Sequence, residues 1–332
     1  MSITRRSFLA RILGSGAAVA SAATAGAPVA EARGNKTLPP KAVGLLYDST
    51  LCTGCKACVV GCKIANGKPL STPMETAYLD DTKELNPDAL NVIQMYVNGT
   101  PSAKDREENG FAFFKHSCMH CVDPSCVSAC PVQALQKDAE NGVVTWSRDA
   151  CIGCRYCVMA CAFRIPKFRY TSAFDPDINK CQLCNHLWAE GKYSACAYVC
   201  PTGATLYGPV EMLHKEAKRR LSLKPGEKFR TVRGRIDAKK PQRTRAYTVP
   251  NYKQHIYGET EGGGTQMLML SAVDFHKLGL PKVQRRSWAS ISETVQHTLY
   301  SYLVFPAIAL AGLMAITYRT ARVTEDEEGE ET

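Results

Sequence analysis

Short apolar runs alternate with polar stretches punctuated by Gly, Pro and Asn along most of this chain. VGLLY at 43–47 reads as a strand, as do NVIQMYV at 91–97, GVVTW at 142–146 and GATLYG at 203–208. EMLHKEAKRRL at 211–221 has the apolar spacing of a helix. GGG at 262–264 and the alternating TQMLMLSAV after it predict a hairpin in that region. Two runs differ in kind. Residues 12–30 are weakly apolar and rich in Gly and Ala, and residues 299–318 carry no charge at all.

The second of these runs predicts a transmembrane helix. At a rise of about 1.5 Å per residue it reaches about 30 Å, the depth of a bilayer core. Tyr300, Tyr302 and Tyr318 stand near its edges, where aromatic rings favour the interface. Arg319 and Arg322 follow, then the acidic tail at 325–331, so an exported body obeys the positive-inside rule. Pro306 is tolerable in a membrane helix. Ala307, Ala311 and Ala315 share one face and would let another membrane helix approach closely. The first run follows Thr4-Arg5-Arg6-Ser7-Phe8-Leu9, a twin-arginine pattern, and ends in the cleavage-like Ala30-Glu31-Ala32. Residues 1–32 therefore read as a signal peptide.

Composition narrows the class. The chain has 332 residues, 45% hydrophobic and 22% charged, which excludes a disordered protein. Three Arg against one Glu give residues 1–32 a charge of +2, leaving +8 of the total +10 for the rest. Nine Lys and Arg against two acids fall within 224–245, read as a solvated loop first and a docking surface second. Nucleic acid is a poor partner for an exported chain.

The sixteen cysteines form four quartets with none left over. Cys52, Cys55, Cys58, Cys62 and Cys151, Cys154, Cys157, Cys161 share the string C-x2-C-x2-C-x3-C. Cys118, Cys121, Cys126, Cys130 follow C-x2-C-x4-C-x3-C, and Cys181, Cys184, Cys196, Cys200 follow C-x2-C-x11-C-x3-C. Three thiolates at C-x2-C-x2-C can wrap an iron–sulfur cubane, and the fourth, expected on the first turn of a helix, reaches a different cluster in two-cluster ferredoxins. Zinc could use the fourth quartet but does not explain the two compact strings. Disulfides suit an exported chain but not this spacing. A twin-arginine passenger travels folded, so a cluster inserted in the reducing cytoplasm would cross with its ligands occupied.

No C-x-x-C-H is present, so covalent haem is not expected. His116, His120 and His186 lie beside quartets that already have four thiols each, and read as structural or potential-tuning. His297, just outside the membrane helix, reads as an ordinary interfacial His. No catalytic triad or nucleotide fingerprint occurs, so the chain reads as a wire and not as an enzyme on its own.

The order of quartets over roughly residues 43–210 resembles the four-cluster ferredoxin-like subunits of formate dehydrogenase, nitrate reductase, dimethyl sulfoxide reductase and polysulfide reductase. The resemblance implies four [4Fe–4S] clusters. The first would take Cys52, Cys55, Cys58 and Cys200, and the second Cys181, Cys184, Cys196 and Cys62. The third would take Cys118, Cys121, Cys126 and Cys161, and the fourth Cys151, Cys154, Cys157 and Cys130. Nitrate reductase relatives place a Trp at one ligand of the third quartet. Cys154 stands there in this chain.

A narrower set of strings resembles the ferredoxin-type subunit of hydrogenase-2-class membrane-bound nickel–iron hydrogenases. They are LYDSTLCTGCKACVVGC (46–62), ENGFAFFKHSCMHCVDPSCVSACPVQAL (108–135), YGETEGGGTQMLML (257–270) and SETVQHTLY (292–300). CAF at 161–163 departs from the Cys-Pro-Tyr frequent in relatives, without touching a ligand.

That resemblance implies electron transfer between the hydrogenase small subunit, partnered by its large subunit, and an integral quinone-reactive subunit, on the periplasmic face. The cluster subunit of a formate dehydrogenase or other molybdenum enzyme is the alternative, and an exported zinc protein is another.

The expected fold is α+β, with two pseudo-symmetric ferredoxin-like halves and one C-terminal transmembrane helix. The expected divisions are a signal peptide at 1–32 and a four-cluster domain at 33–210 with an insertion at 63–117. A basic extension and connector at 211–297, a membrane helix at 298–318 and an acidic tail at 319–332 complete them.

Overall fold

A computed structural model describes residues 33–73, 82–171, 175–238 and 244–329. The twin-arginine segment, its cleavage motif and residues 330–332 of the tail lie outside them. In chain order the regular elements begin with β1 (Val43–Asp48), α1 (Ala57–Ala65), β2 (Asn91–Asn98), β3 (Ala103–Lys104) and β4 (Gly110–Ser117). Then come α2 (Ser125–Ser128), β5 (Leu135–Lys137), β6 (Val144–Trp146), α3 (Tyr156–Ala160), β7 (Lys167–Phe168) and β8 (Ile178–Asn179). They continue with α4 (Ala195–Tyr198), β9 (Thr205–Pro209), α5 (Val210–Ser222), β10 (Lys228–Val232), β11 (Gly234–Arg235), β12 (Thr244–Thr248) and β13 (Met267–Leu270). Two helices, α6 (Trp288–Tyr302) and α7 (Val304–Gly329), end the described chain.

The chain divides into a unit at Gly34–Ala289 and a second one comprising Met1–Arg33 with Ser290–Thr332. The first is a mixed α/β body. Its main sheet has the order β11-β9-β1-β13, with β1 antiparallel to β9 and parallel to β13. Leu45, Leu46 and Tyr47 of β1 are all buried, because α5 contacts the strand in addition to its sheet neighbours. Gly44 permits the closest approach in the sheet. A Cβ there would lie 1.8 Å from the carbonyl oxygen of Gln266, the oxygen that accepts from the Leu45 amide at 3.0 Å.

The predicted strands at 43–47, 91–97, 142–146 and 203–208 are β1, β2, β6 and β9, and 211–221 lies within α5. The predicted hairpin after GGG does not form. MLML is one fully buried strand paired in parallel with β1, and its antiparallel partner is a single bridge back to Tyr257, before the glycines. A strand buried on both faces carries no inside–outside alternation, so its pattern could not report its pairing.

The insertion holds a three-stranded sheet, β2-β4-β3, with β4 beyond the sequence expectation. Among its described residues the basic stretch at 224–245 is in part strand, because β10 pairs antiparallel with β12. Residues past 210 enter the main sheet through β11 and β13.

Around the quartets the plan is regular. β1 precedes the first quartet and pairs with β9, which follows the fourth. β5 follows the second and pairs with β6, which precedes the third. Helix α1 packs on α4, and α2 packs on α3.

In the second unit, one apolar helix, Trp288–Arg319, is long enough to cross a bilayer at 32 residues, with a mean hydropathy of 1.9 in its most apolar window. None of that window is buried. The helix is interrupted only at Leu303. Pro306 has no N–H to offer the Tyr302 carbonyl, which accounts for the break.

Candidate metal centres

Each quartet is held by a turn and a short helix. In the first, Asp48 accepts from the Thr50 amide at 3.1 Å and the Thr50 hydroxyl at 2.6 Å, fixing the turn that delivers Cys52. Gly54 (φ 70°) and Lys56 (φ 54°) are left-handed, and so are Gly153 (φ 70°) and Arg155 (φ 62°) of the third quartet. The two C-x2-C-x2-C strings thus share one backbone track, and glycine meets its first left-handed position without strain. His120 (φ 47°) turns the second quartet, and Leu183 and Cys184 (both φ 53°) turn the fourth.

The expected helix position of the fourth cysteine is corrected. The third cysteine stands in the first turn in every quartet: Cys58 in α1, Cys126 in α2, Cys157 in α3 and Cys196 in α4. Cys62 lies a turn further along α1, while Cys130, Cys161 and Cys200 follow the ends of their helices. Four residues along a helix advance the chain about 6 Å. That step carries the fourth thiol out of its own loop.

The thiols meet across quartets. One cavity is lined by Cys52, Cys55, Cys58 and Cys200. A second is lined by Cys62, Cys181, Cys184 and Cys196. A third is lined by Cys130, Cys151, Cys154 and Cys157. The other four, Cys118, Cys121, Cys126 and Cys161, act on one another: burial first, and then the neighbouring thiols, push Cys121 and Cys126 up, Cys126 to about 12. All sixteen cysteines are free of disulfides. Among the described residues no three of His, Cys, Asp and Glu form a single-ion site.

This donor set fits iron–sulfur clusters. Burial raises Cys58 to about 12 and Cys157 to about 11. Such thiols keep their protons at neutral pH unless metal takes the proton's place. Two buried lysines, Lys115 and Lys180, and the partly buried Lys137 stand beside them. Lys180 Nζ donates to the Val144 carbonyl and, at 3.1 Å, to that of Cys181. Lys137 Nζ donates to the carbonyls of Cys121 (2.9 Å) and Gly142 (2.7 Å) and to Gln266 Oε1 (2.7 Å). Lys115 is wholly buried and donates to Asn91 Oδ1. Burial opposes its charge, but the sulfurs of Cys196, Cys58, Cys62 and Cys181, when deprotonated, outweigh burial and hold its pKa above the ordinary lysine value. Sequence reasoning passed over Lys115, Lys137 and Lys180. Their only signal was a lysine inside or beside an apolar strand, as in FAFFKHS.

No histidine lines the three cavities. His116 Nε2 lies 3.3 Å from the Phe163 carbonyl oxygen, and His186 Nε2 donates to that of Ala65 at 2.8 Å. Buried His120 accepts the Val144 amide on Nδ1 at 3.1 Å. His297 is exposed on α6. The basic stretch reaches the first cavity through Arg233, whose Nε donates to the Cys200 carbonyl at 3.2 Å.

Residues 110–210 match the 4Fe-4S dicluster domain family. The hydrogenase-2 operon protein HybA of Escherichia coli O157:H7 is 43% identical over 301 residues, 90% of either protein. The B subunit of anaerobic dimethyl sulfoxide reductase from Escherichia coli K12 is 36% identical over 177 residues, 52% of this protein and 76% of that one. Protein NrfC of the same strain is 32% identical over 238 residues, 70% of this protein and 92% of that one. Shared cavities ringed by thiols and a match along nine-tenths of a relative's length lead to one family: the chain belongs with HybA among the ferredoxin-type iron–sulfur electron-transfer proteins.

Proposed function

We propose that this chain carries electrons between the small subunit of a periplasmic nickel–iron hydrogenase and an integral membrane quinone-reactive subunit, and is not a catalyst by itself. The observation behind this reading is the grouping of cysteines from different quartets around common cavities. In this reading Cys52, Cys55, Cys58 and Cys200 hold one cluster, and Cys62, Cys181, Cys184 and Cys196 the next. Cys118, Cys121, Cys126 and Cys161 hold a third, and Cys130, Cys151, Cys154 and Cys157 a fourth. A [4Fe–4S] cluster with four thiolates supplies a one-electron carrier with no open iron for a substrate.

The chain's own residues hold these sites apart, keep water from them and set their electrostatics. Exposed Cys55 and Cys154 mark where an external donor or acceptor could come nearest. Two ferredoxin-like halves follow, one built on β1, β9, α1 and α4, the other on β5, β6, α2 and α3. Residues 1–32 would direct twin-arginine export, and residues 298–318 would anchor the body on the periplasmic face, with Arg319 and Arg322 in the cytoplasm.

The test uses the complex solubilised anaerobically through a tag on this chain. Hydrogen should bleach the broad visible iron–sulfur absorbance, and formate should not. Bleaching by formate alone would move the chain to a formate dehydrogenase. Absence of iron and acid-labile sulfide would remove the cluster reading altogether. Cys154→Ser should abolish hydrogen-to-quinone transfer and spare dye reduction by the hydrogenase. Normal quinone reduction in that variant would defeat the wire.

A further inference from the structure

Lys115 is a fully buried lysine, at 0% exposure, in the interior of β4 opposite Ile93 of β2. Isolated burial of an ammonium costs several kcal/mol, so buried lysines are normally paired with carboxylates. Among the described residues no carboxylate pairs with this one. Its hydrogen-bond partner is the neutral Asn91 Oδ1, and the Asn91 amide donates onward to the Cys58 carbonyl at 2.7 Å. Lys115 and Asn91 both line the cavity of Cys62, Cys181, Cys184 and Cys196. Cys58 belongs to the neighbouring ring with Cys52, Cys55 and Cys200. The ammonium therefore stands where two thiol rings adjoin.

We infer that Lys115 is the fixed counter-cation of these two sites and raises the reduction potential of the group bound in each, more strongly in the cavity it lines. The inference rests on cluster occupancy as proposed above. A four-thiolate cluster is anionic and gains one further negative charge on reduction, and net charge is one of the determinants of its potential. A cation held in low dielectric stabilises the more negative state more than the less negative one. The neutral hydrogen-bond partner matters equally. Asn91 orients the ammonium without cancelling it, whereas a carboxylate at that position would close the pair and mute its field.

The experiment is a redox titration followed by electron paramagnetic resonance on the anaerobically purified complex, with parent, Lys115→Met, Lys115→Arg and Asn91→Asp chains. Iron and acid-labile sulfide are measured on each sample and report whether the cluster reading holds, separately from the potentials. Lys115→Met should lower one potential so that the reduced-to-oxidised ratio at fixed poise falls at least tenfold, which is about 59 mV for a one-electron couple. A second potential should fall by less, and the others should stay in place. Lys115→Arg should keep the parent values, and Asn91→Asp should lower the same potential with the lysine still present. Unchanged potentials in Lys115→Met with full cluster content would overturn the inference. If Lys115→Met loses its clusters, Asn91→Asp decides. Parent potentials there, or a Lys115→Arg shift equal to that of Asn91→Asp, would show that charge is not the agent.

Discussion

Arg220 should be worth about 3–5 kcal/mol to the body of this protein, because its removal leaves a buried carboxylate short of its ion partner. The guanidinium sits at 0% exposure on α5. It donates to Asp48 Oδ2 at 2.8 Å, Glu216 Oε1 at 2.8 Å and Thr231 Oγ1 at 2.6 Å. Asp48, also at 0%, accepts the Tyr252 hydroxyl at 2.6 Å as well. Glu216 retains Arg219 at 2.7 Å if Arg220 is lost, but Asp48 has no second cation among the described residues.

Arg220→Met should thus cost the full penalty. With a urea slope of about 3 kcal/mol/M, the apparent midpoint falls by about 1–1.7 M. Asp48 also fixes the turn into Cys52, so visible iron–sulfur absorbance is a suitable readout and should be lost at lower urea. Adding Asp48→Asn to Arg220→Met removes the stranded charge. The double variant should recover about 0.5–3 kcal/mol relative to the sum of the two singles. A parent-like midpoint for Arg220→Met, or strict additivity in the cycle, would refute the reasoning.

Two further expectations follow from the same structure. Gly44→Ala should destabilise the body by about 3 kcal/mol, because its Cβ meets a backbone oxygen that cannot swing aside, and the urea midpoint by tyrosine fluorescence reads it. Ending the chain after His297 removes exposed Leu299, Leu303, Val304, Ile308, Leu310 and Leu313, and should move it from the membrane to the soluble fraction on centrifugation. Retention in the membrane without its partner subunits would count against the span.

The sequence made some parts of this molecule legible and left others hidden for physical reasons. Strand β1 and helix α5 were readable because an apolar run or a periodic face is a local property. The repeated track of Gly54, Lys56, Gly153 and Arg155 was implicit in two identical cysteine strings. The position of the fourth cysteine was misplaced because spacing alone does not say whether a helix begins before or after the third cysteine. The pairing of 267–270 was misread because its partner is β1, more than two hundred residues upstream. Lys115 was hidden for the opposite reason. A lysine in a strand is ordinarily a solvent-facing residue, and only the packing of β2, β4 and the thiol rings makes it a buried charge.

Which quartets share a cavity is decided by the strands and not by the cysteine strings. Cys52, Cys55 and Cys58 meet Cys200 because β1 and β9 pair antiparallel, which returns the end of the fourth quartet to the start of the first. Cys151, Cys154 and Cys157 meet Cys130 because β5 and β6 do the same over a short connection. The inner closure brackets only residues 135–146, with Leu135, Val144, Cys157 and Ile178 as its own small core. The outer one spans most of the body and is completed by β13. Loop-closure entropy makes the outer cavities the costlier to assemble. It is there that Arg220, Gln266 and Gly44 tie β1 to segments that follow every cysteine in the chain, with Gln266 Nε2 donating to the Val43 carbonyl at 2.6 Å and that of Asn141 at 2.9 Å. The residues past 210 therefore act as the clasp of the cysteine-bearing region, which explains why a stretch without a single cysteine is built into its central sheet.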